Sequence, residues 1–313
     1  NWAGNDYHWA SAIDASPAEE ARILDEAKRL ALGFLYWLQT EAPHPDGRRE
    51  GFLGLRLMPE VMGTRDGLSK APYIRESRRI LALTRIVEGE IVATGRMGAR
   101  AERFEDSVGV GWYAMDLHDC VGAPTSMYAP TLPFQIPLGA LIPRRMGNLI
   151  AACKNIGTTH LTNGAYRLHP VEWNVGESAG TLAAFCCDQG CTPAQVRESA
   201  RLRQGLQFRL LERGVPLAWT VDVPASDPCF VPAQMLVLSG AIPESGPRFE
   251  SLELLMDRGL TAVDLDGLEV ALRVLGLSSE DIVAGPGDAG ALTWQSACTA
   301  AAGAMSDRFS RYV

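Results

Sequence analysis

The sequence predicts an α/β protein in which a mixed β-sheet region is followed by a helical C-terminal region. Residues 17–39 place apolar side chains at helical spacing behind Ser16, which with Glu19 has the pattern of a capping box. Residues 73–139 instead contain short apolar runs separated by Gly, Pro and Asp, as is typical of strands in a mixed or antiparallel sheet. The C-terminal end contains short helical segments that stop at glycines.

Length and charge exclude some classes of partner. The 313 residues are enough for about two domains. Their formal charge of −8 argues against nucleic acid as a partner, because phosphate binding needs a basic surface. No apolar run reaches the roughly 18 residues that a membrane helix needs, so no membrane partner is expected.

The seven cysteines include no C-x-x-C pair. Buried reduced thiols are the better interpretation of this pattern, although disulfides stay open. No metal-ligand spacing is present, so no metal is expected. Reduced thiols favour a reducing compartment such as the cytoplasm. Localisation is otherwise unknown, because the first residues lack the pattern of a signal peptide and do not resemble a natural N-terminus.

The most informative stretch of the sequence lies between residues 148 and 190. The apolar run Asn148–Cys153 predicts a buried strand, residues 154–169 predict a turn and a loop, and Pro170–Gln189 predicts a helix. The free N–H groups and partial positive charge of a helix N-terminus stabilise an anion.

One face of this predicted helix is made of small residues. Gly176, Ala179, Gly180 and Ala183 lie three or four positions apart. Such a face lets a helix backbone come close to a sheet or to a ligand. Plain helix–sheet packing is the alternative to ligand binding here.

Several ordered blocks between residues 1 and 189 carry a family resemblance. These blocks are Asn1-Trp-x-Gly-Asn-Asp-Tyr7, Tyr73-Ile-Arg-Glu-Ser-Arg-Arg-Ile80, Asp116-Leu-His118, Ile136-Pro-x-x-x-Leu-Ile-Pro143, Asn148-Leu-Ile-Ala-Ala-Cys-Lys-Asn-Ile-Gly157, His160-x-x-Asn-Gly-x-x-Arg167 and Gly176-Glu-Ser-Ala-Gly-Thr-Leu-Ala-Ala184. Together they resemble bacterial FAD-dependent oxidoreductases, including xanthan lyase-like flavoproteins, and more distantly the flavoproteins of fumarate reductase and succinate dehydrogenase.

The resemblance implies FAD as the cofactor and an incomplete FAD/NAD(P)-binding-type fold. The family's N-terminal Rossmann half carries a G-x-G-x-x-G motif, which this sequence lacks, so a preceding segment or a second chain is expected to supply it. Residues 1–190 then form the flavin-facing and substrate region. Residues 191–228 form a helix and linker, and residues 229–313 form a small helical appendix.

The resemblance also implies which residues contact the cofactor. The turn of Cys153, Lys154 and Asn155 would face the ribitol. The backbone of the segment that opens the helix, and two glycines of its small face, would lie against the flavin; these residues are Leu168, His169, Pro170, Val171, Gly176 and Gly180.

Three residues are candidates for catalysis. In the related reductases a loop His and Arg bind a substrate carboxylate and steer a proton, which suggests these roles for His160 and Arg167. The alternative is a structural role, in which both side chains donate hydrogen bonds to nearby backbone carbonyls. His118 alternates with Asp116 along a predicted strand, so the two side chains would share one face. That pair could be catalytic, part of a metal site, or a structural hydrogen bond.

The predicted function is therefore FAD-dependent oxidoreduction, with hydride transfer between a small organic substrate and flavin N5. The sequence does not identify the substrate. A non-catalytic binding or scaffold module derived from a flavoprotein, and one part of a split flavoenzyme, stay open as alternatives.

Overall fold

The computed structural model describes residues 6–76, 78–122, 126–243, 245–279 and 292–313. The first five residues of the Asn1–Tyr7 block lie outside these ranges. The chain divides into two compact units. The N-terminal unit contains residues 1–75 and 117–128, and the C-terminal unit contains residues 76–116 and 129–313. The functional regions expected from the sequence stay a prediction.

The N-terminal unit is built around one long helix, α1 (Pro17–Thr40), with the short helix α2 (Pro59–Met62). The predicted start of α1 is confirmed, because Ser16 and Glu19 form a reciprocal capping box. The only buried residue of α1 is Ile23. Lys28 of this helix forms an ion pair with Asp66 at 2.6 Å.

Four short strands form two two-stranded sheets in the described parts of the chain, so the larger mixed sheet that the sequence predicts is not formed there. The pairs are β1 with β4, which run antiparallel, and β2 with β3. The strands are β1 (Ser107–Gly111), β2 (Met115–Leu117), β3 (Met127–Ala129) and β4 (Phe134–Pro137).

The predicted buried strand Asn148–Cys153 is wrong. The segment is irregular, and of its six residues Ala151 is buried. The Ala151 N–H donates to the carbonyl of Leu141 at 2.9 Å, but no strand of the described chain forms a ladder with this segment. An apolar run becomes a strand only where a neighbouring strand accepts and donates backbone hydrogen bonds along its length.

The C-terminal unit is mainly helical. The predicted helix Pro170–Gln189 is confirmed with one more residue at its start, and Gly190 ends it at a φ of +62°. The helices that the structure describes in this unit are α3 (His160–Tyr166), α4 (His169–Gln189), α5 (Pro193–Glu198), α6 (Ala200–Glu212), α7 (Phe230–Leu238), α8 (Pro247–Glu250), α9 (Ala262–Leu275) and α10 (Trp294–Phe309). No helix within the described ranges is both long enough and apolar enough to cross a membrane.

The core of this unit lies where α4 packs on β1 and where α6, α7 and α10 pack on one another. The close approach of α4 to β1 is made possible by a glycine of the strand. A Cβ built on Gly109 would lie 2.2 Å from Oδ1 of Asn174, a residue of α4. That same oxygen accepts a hydrogen bond from the Val110 N–H at 2.9 Å.

Buried glutamines satisfy backbone groups that lie outside any strand. Oε1 of Gln234 accepts from the N–H groups of Leu217 and Ala218, and its Nε2 donates to the Ala218 carbonyl. The Gln135 side chain accepts from Phe104 N–H and donates to the Leu217 carbonyl. With so little sheet, side-chain amides take the place of a neighbouring strand.

Candidate functional site

The segment predicted as a loop between residues 154 and 169 contains helix α3. Its N-cap is Thr159, whose side chain accepts from the Thr162 N–H while the Thr162 hydroxyl accepts from the Thr159 N–H. The loop prediction was wrong because Thr in both places gives a weaker signal than the usual Ser or Thr followed by Glu or Gln.

The helix sets the spacing of two candidate catalytic residues. His160 is the first residue of α3 and is half-buried, and Arg167 is the residue that follows its last turn. Seven positions along an α-helix bring two residues to the same side, with about 10 Å between them along the axis. The two side chains therefore start from one face of α3 without being adjacent.

A hydrogen bond and an ion pair hold the Arg167 side chain within the C-terminal unit. It is only 7% exposed, and its guanidinium donates to the carbonyl of Asp116. A second contact, at 3.3 Å, joins Nη2 to Oε1 of Glu76. This arrangement holds the guanidinium in one orientation, and it neutralises part of its charge.

His118 has a carboxylate partner, as the sequence suggested, but that partner is Asp6. Nδ1 of His118 lies 2.6 Å from Oδ2 of Asp6, and the other carboxylate oxygen accepts from Nη2 of Arg75. Because a carboxylate accepts, Nδ1 carries the proton of the imidazole. The carboxylate of Asp116 instead accepts from the Tyr113 hydroxyl at 3.2 Å. Asp6, His118 and Arg75 form a cluster within the N-terminal unit.

Both carboxylates that these candidates contact lie in blocks that carry the family resemblance. Asp6 lies in the Asn1–Tyr7 block and Glu76 in the Tyr73–Ile80 block, but neither is among the site residues that the sequence predicts. Arg75 and Glu76 take part in these two ion pairs.

The N-terminus of α4 is open. Its N-cap Leu168 has no side chain able to accept a hydrogen bond, and the first two residues, His169 and Pro170, are exposed. Val171, by contrast, is buried and contacts the sheet, because a Cβ on Gly111 would lie 2.8 Å from its Cγ2 atom. The backbone N–H groups at this end point out of the helix without a side-chain acceptor from its cap.

The small-residue face of α4 does not pack as one surface. Ala179 is buried, Gly176 is half-buried, and Gly180 and Ala183 are exposed. A Cβ on Gly176 would lie 3.3 Å from the Ala152 carbonyl oxygen, whereas a Cβ on Gly180 would meet nothing within 4 Å. Helix–sheet packing therefore explains Ala179 but not Gly180.

The turn of Cys153, Lys154 and Asn155 lies near the start of α4. The Cys153 thiol donates to Oε2 of Glu172 at 2.7 Å. Burial and this hydrogen bond raise the pKa of Cys153, so the group stays a neutral thiol. The carbonyls of Lys154 and Asn155 accept from Asn163 Nδ2 and from the Ile80 N–H, which fixes the turn.

No group of three or more His, Cys, Asp or Glu side chains suited to a metal ion occurs among the residues that the structure describes.

Comparison with known proteins identifies the family. The model of the family described as FAD dependent oxidoreductase matches residues 1–209, which is more than half of the chain. No match was found among curated proteins or among solved structures. The chain therefore belongs to the FAD dependent oxidoreductase family, and its cofactor is FAD.

Proposed function

We propose that this chain forms the flavin-facing wall and part of the substrate site of an oxidoreductase that transfers a hydride between a small organic molecule and flavin N5. The observation that carries the proposal is the open N-terminus of α4. The other helices of more than ten residues in the described chain, α1, α6, α9 and α10, all have a side-chain cap. At α4 that acceptor is missing and the end is exposed.

The described residues fit the flavin end of FAD. The pyrimidine edge of a flavin offers acceptor atoms and gains negative charge on reduction, and both suit the N–H groups and partial positive charge of a helix start. Leu168, His169, Pro170 and Val171 would supply this end. Gly180, with open space where a Cβ would stand, leaves room beside the helix for a flat ring.

FAD, when bound, supplies the hydride acceptor or donor, and the side chains of this chain orient the substrate and move its proton. His160 suits proton transfer because the two ring nitrogens of an imidazole can donate and accept a proton. Arg167 suits a substrate carboxylate because its planar guanidinium can donate two parallel hydrogen bonds. The Glu76 and Asp116 contacts would then preorganise Arg167 for that role.

In the N-terminal unit, His118 is the second candidate for proton transfer. Asp6 orients its ring through Nδ1 and fixes the tautomer, so that a proton would move at Nε2. Arg75 holds the Asp6 carboxylate in place through an ion pair.

Binding of FAD to the full chain tests the proposal. The purified chain should take up added FAD, with a change in flavin absorption and fluorescence. Gly180→Leu should weaken that binding by at least about tenfold, equivalent to ~1.4 kcal/mol, because the new side chain fills the open space beside the helix. Cys187→Leu, at another exposed position two turns further along α4, is the matched control and should bind FAD normally. A full chain that takes up no FAD contradicts the proposal and leaves the non-catalytic module and the split flavoenzyme as the two alternatives.

The catalytic roles need a substrate, which a screen of small organic compounds for bleaching of the bound flavin would identify. His160→Gln and Arg167→Lys should each slow flavin reduction by about a hundredfold while FAD stays bound. Unchanged reduction rates would remove both residues from the proposed site.

A further inference from the structure

Two of the seven cysteines are buried where two helices meet, in a part of the chain that lies outside the family match. Cys229 immediately precedes α7, and Cys298 lies within α10. Cys298 shares one face of α10 with Gln295 and Thr299, and both of those side chains lie against the Cys229 sulfur. These contacts join two helices that are separated by about 70 positions in the sequence.

The Cys229 sulfur accepts a hydrogen bond from α10. Nε2 of Gln295 donates to it at 3.1 Å, and the Thr299 hydroxyl, which lies 3.7 Å from the sulfur, donates to the Gln295 carbonyl at 2.8 Å. Gln295 and Thr299 lie in α10 on either side of Cys298, so one helix supplies all three groups. Asp227 accepts from the Cys229 N–H and its charge opposes ionisation of the thiol.

These donors favour the thiolate of Cys229. The hydrogen bond from Cys298 is the largest influence, burial opposes it, and the balance lowers the pKa of Cys229 to about 6. The same hydrogen bond, together with burial, raises the pKa of Cys298 well above its usual value. One thiolate therefore faces one thiol, which is the arrangement of a nucleophilic cysteine and a resolving cysteine.

Two other cysteines have a raised pKa, in contrast to the lowered pKa of Cys229. Burial is the main influence that raises the pKa of Cys186 to about 12, although Cys191 also lies within hydrogen-bond reach. Burial likewise raises the pKa of Cys153. Both groups stay neutral thiols near neutral pH and are poor nucleophiles.

We propose that Cys229 and Cys298 form a peroxide-responsive thiol pair that closes into a disulfide. The Cys229 thiolate attacks one oxygen of hydrogen peroxide; an S–O bond forms, the O–O bond breaks, and hydroxide leaves and takes up a proton as water. Cys298 then loses its proton and attacks the Cys229 sulfenic acid. The S–S bond forms, and the sulfenic oxygen leaves as a second water. Two thiols are oxidised by two electrons, and one peroxide is reduced to two waters.

Burial selects the oxidant. Cys229 is 2% exposed and Cys298 is fully buried, so a small uncharged oxidant reaches them more readily than a bulky disulfide does. The product would link the start of α7 to α10 and would close a loop that contains α8 and α9. Such a link restricts the unfolded chain and stabilises the C-terminal unit.

Peptide mapping tests the proposal directly. The folded chain is treated with a slight excess of hydrogen peroxide, alkylated under denaturing conditions, and digested with trypsin without reductant. Cleavage at Arg213, Arg248, Arg273 and Arg308 leaves Cys229 and Cys298 each as the only cysteine of its own peptide. A linked pair of peptides 214–248 and 274–308 is expected, and a thiol reductant should separate it.

Matched variants complete the test. Cys298→Ser should abolish the linked pair and leave the Cys229 sulfenic acid open to capture by dimedone, whereas Cys187→Ser should leave the linked pair unchanged. The proposal is overturned if the folded wild-type chain yields no 214–248 to 274–308 link, or if the link forms only after the chain is denatured. It is also overturned if a bulky oxidant such as oxidised glutathione forms the link as fast as peroxide does at the same concentration.

Discussion

Helices α1 and α7 show that two different sources of stability can produce a helix in one chain. The 24 residues of α1 carry a complete capping box, yet Ile23 is their only buried residue. The nine residues of α7 begin without a side-chain cap, but all of them except Val231 are buried. Local signals therefore account for α1, and tertiary packing accounts for α7.

The first comparison is between two identical substitutions, both expected to be measured against the same wild-type chain. Leu236→Ala in α7 removes a fully buried side chain and should lower the free energy of unfolding by about 2–5 kcal/mol. Leu32→Ala in α1 removes a side chain that is 45% exposed and should change it by less than about 0.5 kcal/mol. Urea unfolding followed by circular dichroism measures both. Equal losses of unfolding free energy in the two variants would mean that the Leu32 side chain is buried in solution.

The next comparison concerns ion pairs. Arg248 and Asp264 are 2% and 4% exposed and lie 2.7 Å apart, whereas Arg22 and Glu26 of α1 form an exposed pair. Arg248→Met leaves a buried carboxylate without its partner and should cost about 3–5 kcal/mol of unfolding free energy. Arg22→Met should cause no measurable change.

The cost of Arg248→Met should depend on pH in a defined direction. Burial alone would raise the pKa of Asp264, but hydrogen bonds from Thr261 and the charge of Arg248 outweigh it and lower the pKa. The pair's contribution is therefore present above the ordinary Asp pKa and is lost as pH falls through the lowered value. Urea unfolding at a series of acid pH values should show the penalty shrinking, and a penalty that grows in acid would contradict this assignment.

A smaller effect is expected at the start of α1. Ser16→Ala removes the capping side chain and should cost about 1 kcal/mol, seen as a loss of helical circular dichroism on mild heating. Ser11→Ala, at an exposed position before the helix, is the control. If both variants melt alike, the capping box does not stabilise α1.

The smallest effect compares two glycines. Gly180→Ala adds a methyl group in open space and should stabilise the protein by about 0.5–1 kcal/mol through lower chain entropy. Gly109→Ala should destabilise it, because the new Cβ would collide with the Asn174 side chain. Thermal unfolding would rank the two variants, and the reverse order would contradict the packing of α4 on β1.

Signals confined to a few residues predicted structure well. Ser16 and Glu19 form the expected capping box, and Gly190 ends α4. Residues 191–228, for which the sequence predicts one helix and a linker, instead contain α5 and α6, which are divided at Ser199, where the backbone is extended. No Gly or Pro lies at that break to indicate it in the sequence.

Features that depend on distant partners were not predictable. The apolar run Asn148–Cys153 has the composition of a strand, but strand formation depends on a neighbour. His118 was matched with Asp116, two positions away, although its carboxylate partner Asp6 lies 112 positions away. Periodicity within one segment contains no information about such contacts.

The Gln234 side chain has a consequence for exchange of backbone hydrogens with solvent. The N–H groups of Leu217 and Ala218 lie in irregular chain, where exchange is usually fast, yet both donate to a side chain of α7 that is 1% exposed. Their exchange should require opening of α7 itself. In heavy water these two amides should therefore exchange at the rate of the helix, so that a loop and a helix behave as a single cooperative unit.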